Sequence, residues 1–392
     1  MFQPLQYIGF NPFGLSIRHL FVIGYSMNMA RIVIDARESG TSTGRYVDKL
    51  VENLHKLKPE HDIIILAKSS RLSFFEEVAP DFELVRSDVK EFSFAEQIKL
   101  WRQIKKLKPD LVHFTMTQQP ILYKANKLTT IHDLTTARFD NPAKFKPVFK
   151  FKQQVYKLVI KSAAKNSRAI ITPSKYVKHD VARFTNVPAS KIAVTYEAAD
   201  RITDKPEPLV RLKNKRFIMY VGRATPHKNL ARLVAAFELL TKKYPELYLV
   251  LVGKNDANYK KIGELVTKRR LAHSVIFTDH VSEGELRWMY ENTAAYVFPS
   301  LSEGFGLPSL EAMRHGAPVV SSNATSLPEV NGQAALYFSP TSIKDIAVQV
   351  DKLLSNPALH SILVSKGRAQ ADGYSWKRMA EQTMAIYQAS LK

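Results

Sequence analysis

No cysteine occurs among the 392 residues. That excludes disulfides, thiolate metal sites and thiol nucleophiles, and it fits a reducing, cytoplasmic compartment. No apolar run reaches the roughly 18 to 20 residues that a membrane-spanning helix needs. Internal repeats, low-complexity tracts and a Gly-x-Gly-x-x-Gly fingerprint are all missing. Acidic residues are few, 36 against 57 lysines and arginines, which leaves a formal charge of +21. The shortage is local as well as global. From Lys144 to Arg168 there is no acidic residue but eight basic ones, interleaved with Phe145, Phe149, Phe151, Val155, Tyr156, Val159 and Ile160. A basic amphipathic segment of this kind points to an anionic lipid surface; the bland alternative is a core helix with a solvated lysine face. Residues 1–29 carry only Arg18 as a full charge and lack the basic start and cleavage pattern of a secretory signal. They are read as a disordered N-terminal extension outside the fold, with Met27 and Met29 as alternative starts, and an interfacial anchor as the rival reading.

At this length two domains are expected. Strand-like runs alternate with helical patterns, the signature of parallel sheets built from βαβ units. The first series is Arg31–Asp35, Asp62–Leu66, Leu111–Phe114, Leu128–Ile131 and Ala169–Thr172. The second is Phe217–Gly222, Leu247–Gly253, Val275–Thr278, Ala294–Phe298, Pro318–Ser321 and Ala335–Phe338. Between the two series, Asp200–Lys215 carries Pro206 and Pro208 among charges with no apolar period, which marks a domain boundary. The division expected is residues 30–200, residues 201–374 and a terminal helix over 375–392. The fold class is α/β, two doubly wound Rossmann-like domains whose strand ends face a central cleft.

The most informative stretch is 298–316, Phe-Pro-Ser-Leu-Ser-Glu-Gly-Phe-Gly-Leu-Pro-Ser-Leu-Glu-Ala-Met-Arg-His-Gly. It sets a carboxylate, Glu303, and two glycines between a strand and a helix expected over Pro308–His315, with Glu311 on that helix. No Ser, Thr, Asp or Asn stands at the helix start, so its first amides lack a cap and suit a phosphate. After Phe217–Gly222 come Arg223 and Lys228, placed to reach one diphosphate together, though either residue alone is also an ordinary surface cation. No Asp-x-Asp pair, the usual Mg²⁺ holder on a nucleotide diphosphate, is present. The departing charge therefore falls to protein cations and helix-start amides, and no metal or other cofactor is expected. In the first half, the small-residue loop Gly40-Thr41-Ser42-Thr43-Gly44-Arg45-Tyr46 allows close ligand approach, and His132 ends a strand at the cleft. His113 is a weaker case of the same kind. A histidine at a strand end is equally readable as a satisfied structural group. Glu197, Asp200, Asp279 and His280 have no spacing that assigns them chemistry.

Together these segments resemble the retaining glycosyltransferases of family 4, also called group 1, with the GT-B fold. The resemblance spans residues 30–390. It rests on the Glu303-x7-Glu311 motif, on Gly222-Arg223 with Lys228-Asn229, on Gly316-Ala317-Pro318-Val319-Val320, and on Leu327-Pro328-Glu329-Val330. Gly44-Arg45-Tyr46, Ile131-His132-Asp133-Leu134 and Thr172-Pro173-Ser174 add to it. In many members the first loop reads Gly-Ile-Gly or Gly-Gly, where this chain has Thr43-Gly44.

The resemblance implies that Glu303 binds the donor sugar's hydroxyls and that Glu311 holds the nucleotide's ribose. Arg223 and Lys228 would neutralise the diphosphate, with backbone amides around Gly304, Phe305, Gly306 and Leu307 completing the cradle. Gly222 and Gly44 would lie against the donor, and His132 would face the sugar from the first domain. It further implies transfer of a hexose with retention by front-face attack, and a last helix that crosses back to the first domain. Asp35-Ala36-Arg37 and His132-Asp133-Leu134 look like the mannosyltransferase branch, so GDP-mannose is the first donor expected and UDP-glucose the second. The acceptor expected is a saccharide or lipid-linked saccharide in polysaccharide assembly, at the inner face of the cell membrane. Two other classes remain open: a nucleotide-sugar epimerase of the same architecture, and a basic nucleic-acid-binding protein. The second has no recognition motif, and no nucleic-acid partner is expected.

Overall fold

The computed structural model describes residues 29–41, 43–91, 93–139 and 146–392. The expected N-terminal extension, apart from Met29, and the start of the basic segment lie outside the described residues.

Among the described residues, thirteen strands form two wholly parallel sheets. The first holds β1 (Arg31–Asp35), β2 (Asp62–Ala67), β3 (Glu83–Arg86), β4 (Leu111–Phe114), β5 (Lys127–Thr130), β6 (Ala169–Thr172) and β7 (Ile192–Val194), in the order β3-β2-β1-β4-β5-β6-β7. The second holds β8 (Phe217–Val221), β9 (Tyr248–Val252), β10 (Val275–Asp279), β11 (Ala295–Phe298), β12 (Val319–Ser322) and β13 (Ala335–Phe338), in the order β10-β9-β8-β11-β12-β13. Central strands such as Ile63-Ile64-Ile65-Leu66 are buried on both faces, as helices on either side of a parallel sheet require. Each sheet reverses its winding direction at its first strand, between β1 and β4 and between β8 and β11. Those switch points place a crevice at the carboxyl ends of the strands.

Sequence patterning missed β3 and β7. Both are short edge strands, of four and three residues with partly exposed side chains, so neither carries a long apolar run. The strand expected over Leu128–Ile131 begins one residue earlier, at Lys127. Lys127 is buried because its ammonium donates to the Tyr123 carbonyl at 2.8 Å and lies over the Phe114 and Tyr123 rings. Burial lowers its pKa to about 8.

The second domain packs around one core that includes Phe217, Tyr220, Phe237, Val250, Tyr296, Phe298 and Met313. The last helix, Trp376–Leu391, leaves that domain. Its Trp376, Met379, Ala380, Ile386 and Tyr387 join the first domain's core with Ile34, Leu50, Leu54 and Leu111. His113 fastens it there. The ring bonds the Tyr387 hydroxyl at 2.7 Å and Thr130 Oγ1 at 2.8 Å, and burial pushes its pKa down to about 3. His113 is therefore a neutral structural histidine.

Candidate functional site

Helix Leu307–Arg314 starts one residue before the position expected from Pro308. No side chain caps it, and Gly306 enters it at φ 104°, a left-handed conformation suited to glycine. Leu327 Cδ2 would lie 2.6 Å from a Cβ at Gly306, so the position is closed to a side chain as well. Among the described residues, the amides of Gly304, Phe305, Gly306 and Leu307 have no hydrogen-bond acceptor. They form a run of donors at the positive end of a helix, ready for an anion.

The loop before that helix is held from two sides. The Glu303 amide donates to Thr325 Oγ1 at 3.0 Å, and the Ser326 hydroxyl donates to the carbonyls of Glu303 at 3.0 Å and Phe305 at 3.1 Å. Glu303 itself accepts from Lys228 Nζ at 2.6 Å. The two side chains are 11% and 18% exposed, which leaves the pair within reach of a ligand. Lys228 closes the one-turn helix Pro226–Lys228, and the next residue, Asn229, anchors that turn by donating to the carbonyls of Pro299 and Pro340. Arg223 is exposed on the same loop; its carbonyl accepts from the Tyr220 hydroxyl at 3.0 Å, and its guanidinium makes no hydrogen bond among the described residues. Only one of the two expected diphosphate cations is thus drawn up to Glu303. At Gly222 the amide donates to Val252 O at 2.9 Å, which ties the loop's start to the neighbouring strand.

Across the cleft, the first domain meets this loop closely. The His132 carbonyl would lie 2.0 Å from a Cβ at Gly304, so glycine is required there for the two domains to approach. The Ser174 hydroxyl donates to the Gly304 carbonyl at 2.8 Å, and Thr135 Oγ1 lies 3.1 Å from Ser302 Oγ. The ring of Phe305 packs edge-on to Tyr374 at 5.4 Å. Glu311 pairs with Arg45 from the first turn of the first domain's helix Arg45–Lys56. Gly44 is buried beside it, and its backbone lies so close to the Glu38 carbonyl that no side chain fits.

His132 sits at the end of β5 with both ring nitrogens engaged. Nε2 bonds the Thr115 carbonyl at 3.0 Å, and Nδ1 lies 3.3 Å from Glu197 Oε1. Burial disfavours its charge, but the Glu197 hydrogen bond and charge, together with the Thr115 carbonyl, outweigh it and raise the pKa. Glu197 therefore acquires a partner that spacing could not show, since 65 residues separate the two. Asp200 pairs with Lys49 at 3.0 Å. Asp35, Arg37 and Glu96 form a wholly buried ion network, with Arg37 gripping Asp35 at 2.7 and 2.8 Å and Glu96 at 3.1 Å. Asp35-Ala36-Arg37 thus shapes the end of β1 and presents no free charge to the cleft.

Comparisons with known proteins bear on the family and the fold. A family model described as Glycosyltransferase Family 4 matches residues 43–201, and one described as Glycosyl transferases group 1 matches residues 201–370. O-antigen chain mannosyltransferase B of Escherichia coli is 32% identical over 231 residues, 57% of this chain and 61% of that protein. MMP alpha-(1->4)-mannosyltransferase of Mycolicibacterium hassiacum is 32% identical over 187 residues, 46% of this chain and 44% of the relative. The aligned part therefore spans less than two thirds of these relatives. Sucrose-phosphate synthase from Thermosynechococcus elongatus superposes with TM-score 0.72 at 19% identity, covering 92% of this chain and 98% of that one. Anabaena HepE, solved with UDP and glucose, does so with TM-score 0.72 at 15% identity, covering 92% and 100%. At such identities the likeness establishes the GT-B fold.

Proposed function

This chain belongs to the group 1, family 4 glycosyltransferases, and from that premise we propose that it is a retaining, metal-independent hexosyltransferase using a nucleoside-diphosphate sugar. The observation that carries the reading is the pairing of Lys228 with Glu303 at 2.6 Å beside four unpartnered amides at an uncapped helix start. In that arrangement the diphosphate lies on the amides of Gly304 to Leu307. Lys228 and the exposed Arg223 take up the charge that grows on the leaving group. Glu303, relieved of Lys228, accepts from the sugar's hydroxyls, and Glu311 does the same for the ribose. His132 closes the sugar's other side. Among the described residues no cluster of three His, Asp or Glu side chains is arranged as metal ligands.

Mannose is the first sugar to test, because the relatives named above are mannosyltransferases. A thermal-shift series with GDP-mannose, UDP-glucose, UDP-galactose and UDP-N-acetylglucosamine should show its largest rise with GDP-mannose, unchanged by EDTA. A larger rise with any uridine donor would displace the mannosyl assignment. Loss of the rise in EDTA would end metal independence. Mass analysis of donor incubated without acceptor should recover it intact; an isomerised sugar would favour the epimerase.

The acceptor side points to a lipid surface. Helix Lys146–Asn166 exposes Val148, Phe151, Val155 and Leu158 at 51, 70, 42 and 66%, spaced three and four residues apart along one stripe. Lys150, Lys152, Lys161 and Lys165 are exposed on the same helix. Apolar side chains beside lysines suit insertion at an anionic bilayer surface, whereas a nucleic acid would not reward the apolar stripe. The protein should float with anionic liposomes and not with neutral ones. No flotation with either would remove the membrane from the proposal.

A further inference from the structure

Three hydrogen bonds between the two domains meet at the start of one first-domain helix, Lys175–Thr185. Ser174 caps it, accepting from the Val177 amide at 3.2 Å while donating across the cleft to Gly304 O. The next two amides, on Lys175 and Tyr176, donate to the carboxylate of Glu329 at 2.7 and 2.8 Å. The Tyr196 hydroxyl donates to the same carboxylate at 2.9 Å. Both oxygens are used: Oε1 takes Lys175 and Tyr196, and Oε2 takes Tyr176. A carboxylate at the positive end of a helix, accepting amides that have no partner inside the helix, makes strong charge-assisted bonds.

Glu329 belongs to the second domain, on the short helix Leu327–Asn331. The residues leading into that helix, Thr325 and Ser326, are the ones that hold the Glu303 loop through three hydrogen bonds. One helix start of the first domain therefore grips the catalytic loop twice, directly at Gly304 and through Glu329. Each sheet keeps its own core, so this contact is needed to register the domains and not to fold either one.

We propose that Glu329 is a positioning residue for glycosyl transfer, whose carboxylate locks the first domain onto the loop carrying Glu303 and Gly304 and so couples domain closure to placement of the donor's reacting end. The proposal rests on the reading of the site given above. It differs from the Arg45–Glu311 pair, which occupies a carboxylate that the ribose would need. Glu329's two oxygens are filled by Lys175, Tyr176 and Tyr196, so its contact does not compete with the donor.

The test uses Glu329→Gln and Glu329→Asp in the full chain. Glutamine keeps the volume but has one acceptor oxygen, and its NH₂ would face N–H donors. Because the protein lacks cysteine, a spin label on each domain can be placed cleanly through Glu77→Cys and Lys260→Cys, both exposed. Glu329→Gln should broaden the interdomain distance distribution toward longer values. It should lower kcat by about 10- to 100-fold, the usual weight of charged hydrogen bonds, with donor KM changed much less and the thermal midpoint held. Glu329→Asp should restore part of both. An unchanged distance distribution overturns the proposal, as does a broadened one with parental kcat. If the parent transfers sugar from no nucleotide donor, the reading of the site fails and the role in transfer falls with it, while the distance measurement still reports whether Glu329 holds the domains.

Discussion

The two walls of the cleft hold their charges differently. On the second-domain wall, Lys228 and Glu303 pair at the rim, partly exposed, at an uncapped helix start with four donor amides unpartnered. On the first-domain wall, Asp35, Arg37 and Glu96 are fully buried and satisfied by one another, and His132 has both nitrogens occupied. Charges of the first kind can exchange partners with a ligand. Those of the second kind set backbone shape, because a buried ion that loses its partner has no water to replace it.

Four measurements would break or sharpen that contrast. Arg37→Ala removes the guanidinium that grips both oxygens of the buried Asp35 carboxylate and should cost about 3 to 5 kcal/mol in denaturant unfolding. A loss no larger than that of a surface mutation would show the network to be solvated. Glu303→Ala should leave unfolding nearly unchanged while lowering kcat by about 10²- to 10³-fold, the weight of one preorganised electrostatic contact. Parental turnover in that variant would move the chemistry elsewhere.

The third measurement concerns pH and sets two histidines against each other. His113, held neutral with its pKa depressed to about 3, resists protonation, so stability should fall by about 1.4 kcal/mol per pH unit as pH drops below about 6.5. His132 has the opposite sign. Its raised pKa means that its contact with Glu197 stabilises fully below the unfolded value and weakens as pH rises through the folded one. His113→Gln should flatten the acid limb, and His132→Gln the neutral one. The smallest effect expected is from Arg45→Ala. A half-exposed ion pair contributes about 1 kcal/mol or less, so donor affinity should tighten by no more than about fivefold as Glu311 is freed. A marked loss of affinity would instead make Arg45 a direct phosphate contact.

Much of the second-domain wall was legible in the sequence because it is local. Glu303, both glycines, Pro308 and Glu311 lie within nine consecutive residues, so strand, turn and helix start fix their relative placement. The strands of that domain were legible too, since central parallel strands are continuously apolar. The first-domain wall was not readable in the same way. His132 meets Glu197, Arg37 meets Glu96 and Ser174 meets Gly304 over separations of 65, 59 and 130 residues. Nothing in the spacing of such residues reports a meeting that depends on how two sheets are wound. Edge strands β3 and β7 escaped for a simpler reason, their shortness: four and three residues.

By itself the sequence determined that this chain forms two parallel α/β domains and that one strand-to-helix turn presents two carboxylates, glycines and uncapped amides. These follow from periodicity and backbone preference, which act over a few residues. Only the tertiary structure decided which charges face a ligand and which are spent inside the protein. It also decided that Glu329 grips a helix start in the other domain. Desolvation and partner choice are properties of the packed molecule, settled by what the folded chain brings within hydrogen-bonding distance.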